Sequence, residues 1–355
     1  MLNKETKNAD FKNKVLKSAL SYSHHETPKM SLADNTFFPV VLIREISLRL
    51  RKNNRLKNSF PRGYLLNGIF DYAQATNNKK TIVYIEKTVN RFVENIDNGE
   101  LKYIDQACMG MVLIKLYEYT KNEKYRSACD NIAHWLLKNI DSKYNVILYR
   151  PNVNYQYVDT LGMICPFLLA YATAFNKNEF IDLSNKQIIF YINHGLNKNG
   201  MPYHAIDLNN FFPMGSSNWG RGLGWYMLAL TATLKYTDTE NNSMYGYFKN
   251  EFDKIAPHLK NLKKDQFWGQ FIGVSKNWHN DTSVSCMLFY SLSLLKEENC
   301  FEEFYKFLKP LTTKKGQVDY TSGDTEDINI YSREYGKSEL TQGLILSIFK
   351  NEITP

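Results

Sequence analysis

Long apolar runs are missing from this sequence of 355 residues: no segment approaches the roughly 18 uninterrupted apolar residues of a membrane-spanning helix, so no membrane partner is expected. The first ten residues, Met-Leu-Asn-Lys-Glu-Thr-Lys-Asn-Ala-Asp, carry no apolar core of a secretion signal, and a cytoplasmic location is the expectation. Paired cysteines are missing too. Cys108, Cys129, Cys165, Cys286 and Cys300 are scattered without CxxC or metal-ligand spacing, which points to reduced, buried thiols and no bound metal. No HExxH, P-loop or dinucleotide fingerprint occurs, so no cofactor is expected. The formal charge of +8 is spread thinly over Lys-rich stretches with Asp and Glu interleaved. That pattern excludes the concentrated basic face of a nucleic-acid binder and mildly favours an acidic ligand.

Strand-like alternation is scarce, whereas apolar residues at three- and four-residue spacing run through most of the chain. A unit recurs: an apolar helix ending in Tyr or Phe, a short polar turn, then an amphipathic helix. It occurs at Leu65–Tyr72, Leu113–Tyr119, Phe167–Ala172 and Met227–Tyr236, with later copies starting near Met287 and Thr341. Six helical hairpins either stack into an open solenoid or close into a double ring. The connecting loops are long and rich in Gly, Pro, Trp and His, as in Asn199-Gly200-Met201-Pro202-Tyr203-His204, which favours closure with the loops gathered at one mouth. The expected fold is all-α, an (α/α)6 barrel forming a single domain over residues 31–355. Residues 1–30 are read as a polar segment with an extra helix at most, and its His24-His25 pair lacks the Cys or carboxylate companions of a metal site.

The segment Ser216-Ser217-Asn218-Trp219-Gly220-Arg221-Gly222-Leu223-Gly224-Trp225 is the densest in chemistry. Trp219 and Trp225 offer flat faces for a sugar ring, and Arg221 offers a fork of donors for hydroxyls or a carboxylate. The competing reading puts both indoles in the core at a helix entrance. Asp159 and Asp105 each open a hairpin at the same relative position, so a ring would turn both to one mouth. Either could instead be a helix N-cap. Capping would keep the carboxylate ionised, whereas burial among Tyr and Met would raise its pKa toward that of a usable acid. Pro166 argues against a regular helix running unbroken from Asp159 and favours an irregular turn there. His204 precedes the Trp-rich segment. The stretches 265–270 and 281–287 repeat the scheme of polar and aromatic residues leading into a helix.

Taken in order, Asp159-Thr160-Leu161-Gly162-Met163, Tyr203-His204-Ala205-Ile206-Asp207, Trp219-Gly220-Arg221-Gly222-Leu223-Gly224-Trp225 and Asp281-Thr282-Ser283-Val284-Ser285-Cys286-Met287 resemble the unsaturated glucuronyl and rhamnogalacturonyl hydrolases, glycoside hydrolase families 88 and 105, with the 105-type pattern the closer. The resemblance covers roughly residues 60–345. It implies an (α/α)6 barrel acting on an oligosaccharide partner that carries an unsaturated uronate. Asp159 would be the general acid and base, Asp105 a second important carboxylate, and His204, Trp219, Arg221 and Trp225 contacts to the sugar. Leu223 stands where the family usually has Asn, and Phe60-Pro61-Arg62-Gly63-Tyr64 replaces an aromatic wall expected near the first hairpin.

Two other classes fit the residues without the resemblance. One is an (α/α)6 glycosidase or epimerase acting on saturated sugars, the other a non-catalytic helical-repeat protein that binds glycans. Nothing in the sequence marks an oligomeric state.

Overall fold

A computed structural model of the protein describes residues 2–24, 39, 59–237, 243–263, 266–274 and 280–354. His25 and Asp265, which figured in the sequence analysis, lie outside the described residues. Twelve α-helices are present among those described: α1 (Leu2–Ser23), α2 (Phe60–Ala75), α3 (Lys79–Asp97), α4 (Gly110–Thr120), α5 (Glu123–Leu137), α6 (Val158–Phe175), α7 (Asn178–His194), α8 (Gly220–Tyr236), α9 (Ser243–Asn261), α10 (Thr282–Leu294), α11 (Cys300–Leu311) and α12 (Glu339–Ile353). The six from α2 to α12 with even numbers are buried over most of their length and touch in cyclic order, α12 closing back onto α2. The odd-numbered helices are amphipathic and cover them, each leaving a polar face outside. This is the (α/α)6 barrel. Because inner and outer helices alternate along the chain, the inner six run parallel and bring all their N-termini to one end.

Two sites of close approach make the ring close. At the α2–α12 seam, Gly68 and Gly343 face each other so closely that a Cβ on Gly68 would collide with the Gly343 carbonyl, and one on Gly343 with the Tyr64 carbonyl. At the mouth end of the same seam, Arg62 makes a bidentate, buried ion pair with Glu339 through Nε and Nη2 at 2.8 and 2.7 Å. The geometry suits a guanidinium–carboxylate fork.

The N-terminal segment is placed differently from the sequence reading. α1 is the sixth outer helix: Val15, Leu16, Ala19 and Tyr22 belong to the core, Phe11 packs edge-on against Phe349, and the Gln342 side chain donates to the Val15 carbonyl at 3.1 Å. Its sequence is polar because a single outer helix buries only one narrow stripe. Residues 2–23 thus pack against the barrel.

Helix α6 also corrects an expectation. It runs unbroken from Val158 through Pro166 to Phe175, with no irregular turn at Asp159. Proline at 166 removes the N–H that would bond the carbonyl four residues earlier, that of Gly162. The Tyr64 hydroxyl donates to this carbonyl at 3.0 Å, and the missing hydrogen bond is replaced from the neighbouring helix. Tyr64→Phe should therefore lower stability by about 1–2 kcal/mol, the cost of leaving a buried carbonyl unpaired. Chemical denaturation would read this, and an unchanged midpoint would contradict it.

Candidate active site

The site lies where the inner helices begin. A small antiparallel sheet links β1 (Tyr155–Tyr157), β2 (Ala205–Asp207) and β3 (Pro213–Met214), with Tyr157 opposite Ala205 and Ala205 opposite Met214. This register, with the Val158 N–H donating to the His204 carbonyl at 3.0 Å, fixes His204 beside the first turn of α6. His204 Nε2 stands 3.6 Å from Asp159 Oδ2. The imidazole is enclosed by rings: Trp219 at 4.4 Å between centroids, Tyr331 stacked at 5.7 Å and Tyr157 edge-on at 5.7 Å. Gly215, at φ +79°, crosses it so closely that a Cβ would come 2.6 Å from the His204 Cβ.

Asp159 is not a cap. The cap position of α6 is Tyr157, and Asp159 sits within the first turn with a side chain 19% exposed. Its Oδ2 is enclosed and accepts no hydrogen bond. Burial raises its pKa to about 7 against the lowering pull of the Arg221 charge, its own backbone N–H and the Trp225 indole N–H. Burial therefore wins over the helix dipole. The same burial, reinforced by Arg221, drives the His204 pKa down to about 4, with Asp327 opposing. The 3.6 Å contact is thus not an ion pair at neutral pH. It joins a neutral imidazole to a carboxyl group that burial holds well above the ordinary carboxylate range.

Trp219 and Trp225 are each only 1% exposed, so neither presents an open face to a sugar in this state. Trp219 occupies the cap position of α8 and lies against His204 and Tyr331. Trp225 is held by Phe60 and Tyr64 at 5.3 and 6.0 Å and by Gly162, where a Cβ would meet its ring at 2.5 Å. Two of the residues at the altered first hairpin thus serve to seat this indole.

Arg221 is also buried. Nη1 donates to the Ser322 carbonyl at 2.8 Å and hydroxyl at 2.9 Å, and Nη2 to the Gly323 carbonyl at 2.7 Å and the Thr325 hydroxyl at 2.8 Å. Its donors hold protein acceptors, and its charge reaches Asp159 through space. Asp105 lies in a 3-10 helix, Ile104–Met109, which packs between α2 and α6 at the same end of the ring as Asp159. It is buried and engaged with its surroundings.

Tyr331 was not singled out by sequence. It stands in an irregular segment between β4 (Thr321–Ser322) and β5 (Tyr335–Gly336), where no periodicity could point to it. Its ring stacks on His204 and its hydroxyl accepts from the Ser216 N–H at 3.2 Å. A separate cavity of about 160 Å³ runs down the barrel axis beyond Gly162, lined in part by Asn67, Asp71, Lys115, Lys235, Tyr290 and Lys350. Asp159, His204, Trp219 and Arg221 do not line it. Its lysines sit toward the carboxyl ends of the inner helices, where cations offset the helix dipoles. Among the described residues, no group of three or more His, Cys, Asp or Glu could hold a metal ion, and the five cysteines are free and buried.

The model of Glycosyl Hydrolase Family 88 matches residues 43–309, most of the chain. The chain belongs to glycoside hydrolase family 88. A family 105 glycoside hydrolase of C. acetobutylicum ATCC 824 superposes with a TM-score of 0.71 at 23% identity, over 87% of this chain and 97% of that one. A possible family 105 member from Klebsiella pneumoniae subsp. pneumoniae MGH 78578 gives 0.74 at 15%, over 83% and 82%. The unsaturated glucuronyl hydrolase responsible for the degradation of glycosaminoglycan in Bacillus sp. GL1 gives 0.71 at 13%, over 96% and 94%. This family 88 protein shares their (α/α)6 fold and is a glycoside hydrolase.

Proposed function

We propose that the enzyme removes an unsaturated uronic acid residue from the non-reducing end of lyase-generated oligosaccharides, with Asp159 as both acid and base. The observation that carries this reading is a carboxyl group at the ring mouth with an enclosed Oδ2, 3.6 Å from a buried imidazole, surroundings that push the acid up to about 7 and keep the imidazole neutral. One group near neutrality can give a proton and take one back in the same cycle. Six helix N-termini gathered at that end favour a carboxylate-bearing sugar.

The chemistry needs only that one acid. Asp159 donates its proton to C4, and the electron pair of the C4=C5 bond forms the new C–H bond. The cationic centre left at C5 is stabilised by the ring oxygen. Asp159, now a carboxylate, takes a proton from water as its oxygen bonds to C5. The resulting hemiketal opens by cleavage of the bond from C5 to the ring oxygen. That oxygen becomes the hydroxyl of a hemiacetal at C1, which expels the leaving sugar. No carboxylate attacks C1, so the paired spacing of ordinary retaining or inverting hydrolysis is not required. His204 supports Asp159 as a neutral neighbour 3.6 Å away, and Asp105 supplies a second carboxylate at the same end.

The pH dependence follows from the raised pKa. Asp159 must be protonated to act as acid, so kcat/KM should fall by about tenfold per unit above about pH 7. A pH–rate profile on an unsaturated disaccharide, followed by loss of its ultraviolet absorbance, reads this directly. A rate still rising past pH 8 would refute the assignment. Saturated glycosides in the same format should show no turnover.

A further inference from the structure

We propose that Asp281 is a positioning residue for the reaction: through the Ser322 hydroxyl it fixes the Arg221 guanidinium, and with it the 323–334 segment that lays Tyr331 on His204. This rests on the reading of Asp159 as the acid.

Asp281 is fully buried at the N-cap of α10. One of its oxygens accepts from the Ser283 N–H at 2.9 Å, the Ser283 hydroxyl at 2.6 Å and the Ser322 N–H at 3.3 Å, and the other accepts from the Ser322 hydroxyl. Ser322 is therefore held from one side by a carboxylate, while its carbonyl and hydroxyl oxygens receive Arg221 Nη1 from the other. A buried guanidinium and a buried carboxylate are joined through one hydroxyl, an arrangement that satisfies each without direct contact.

Beyond Ser322, the β4–β5 pairing and Gln270 secure the rest of the segment. Gly323 N–H donates to the Glu334 carbonyl at 2.8 Å, and the Gln270 amide donates to the Ser332 carbonyl at 2.7 Å. The Tyr335 hydroxyl donates to Gln270 Oε1 at 2.8 Å. Ile328 then meets Gly215, and Tyr331 closes on His204 and Trp219. The geometry of the acid is thus set from α10, an element that carries none of the groups around it.

The groups that face Asp159 are Arg221 and Trp225 from α8, His204 from the loop just before β2, Tyr191 from α7, Tyr157 from β1 and Tyr331 from the 323–334 segment. Among these Arg221 is the fixed cation, and its placement is what Ser322 controls.

Ser322→Ala breaks the link without changing any charge. Hydrogen exchange should quicken across 323–334, kcat should fall about tenfold with KM less affected, and the alkaline limb should move up by about half a pH unit as Arg221 recedes from Asp159. A merely structural role would lower the rate without moving the limb. Asp281→Asn, which keeps one acceptor oxygen, should loosen the same segment and serves where the first variant folds poorly. Wild-type exchange in 323–334 for both variants, or loosened exchange with an unmoved limb, overturns the proposal. If the wild-type protein leaves unsaturated uronides untouched, the functional reading falls. In that case the half of the proposal concerning Arg221 and the 323–334 segment is still decided by the exchange data.

Discussion

Asp159→Asn should lower turnover of an unsaturated uronide by at least about a hundredfold while the protein stays folded. The carboxamide keeps the shape of the side chain and can still accept from Trp225, but it has no proton to give at C4 and cannot take one from water. General acid–base catalysis typically contributes about 10²–10⁴-fold, and here a single group serves both steps. The substitution also replaces a buried titratable group by a neutral one, so stability should hold or rise. Circular dichroism and a denaturation midpoint alongside the rate assay separate loss of chemistry from loss of fold. Near-normal turnover with the native midpoint would remove Asp159 from the mechanism.

The second large effect concerns the seam. Gly68→Ala should destabilise the barrel by about 3 kcal/mol or more, because the added methyl would overlap the Gly343 backbone, and a backbone carbonyl cannot swing aside as a side chain can. The sign is opposite to that of an open helical position, where Gly→Ala gains up to about 1 kcal/mol. Gly246, in outer helix α9 with nothing within 4 Å of a Cβ, provides the control and should be stabilised. Equal responses at the two positions would show that α2 and α12 can separate without loss, against the closed ring described above.

How much of this was legible in the chain depended on whether a feature lies in regular structure. The apolar inner helices repeat at 3.6-residue spacing, so six hairpins could be read off directly. The sixth outer helix could not, because α1 follows α12 in the ring but precedes α2 in sequence. Asp159, His204, Trp219, Arg221 and Trp225 could be marked as candidates, and the fold brings them to one end of the barrel. What they do there depends on burial. Both indoles are packed away, and the donors of Arg221 are occupied by 322–325. Sequence left open whether capping or burial governs Asp159, and the enclosed Oδ2 decides for burial. Pro166 pointed to a broken helix because Tyr64, a hundred residues earlier, could not be known to replace its hydrogen bond. Tyr331 left no trace, since irregular backbone has no period.

The central claim is that Asp159 protonates C4 of an unsaturated sugar. The most direct measurement is an NMR analysis of early turnover in D2O on a lyase-generated unsaturated disaccharide. The account requires one deuterium delivered to a single face of C4 in step with cleavage, and none with Asp159→Asn. Release of a sugar that still holds its double bond, or deuterium scattered over both faces, would contradict it.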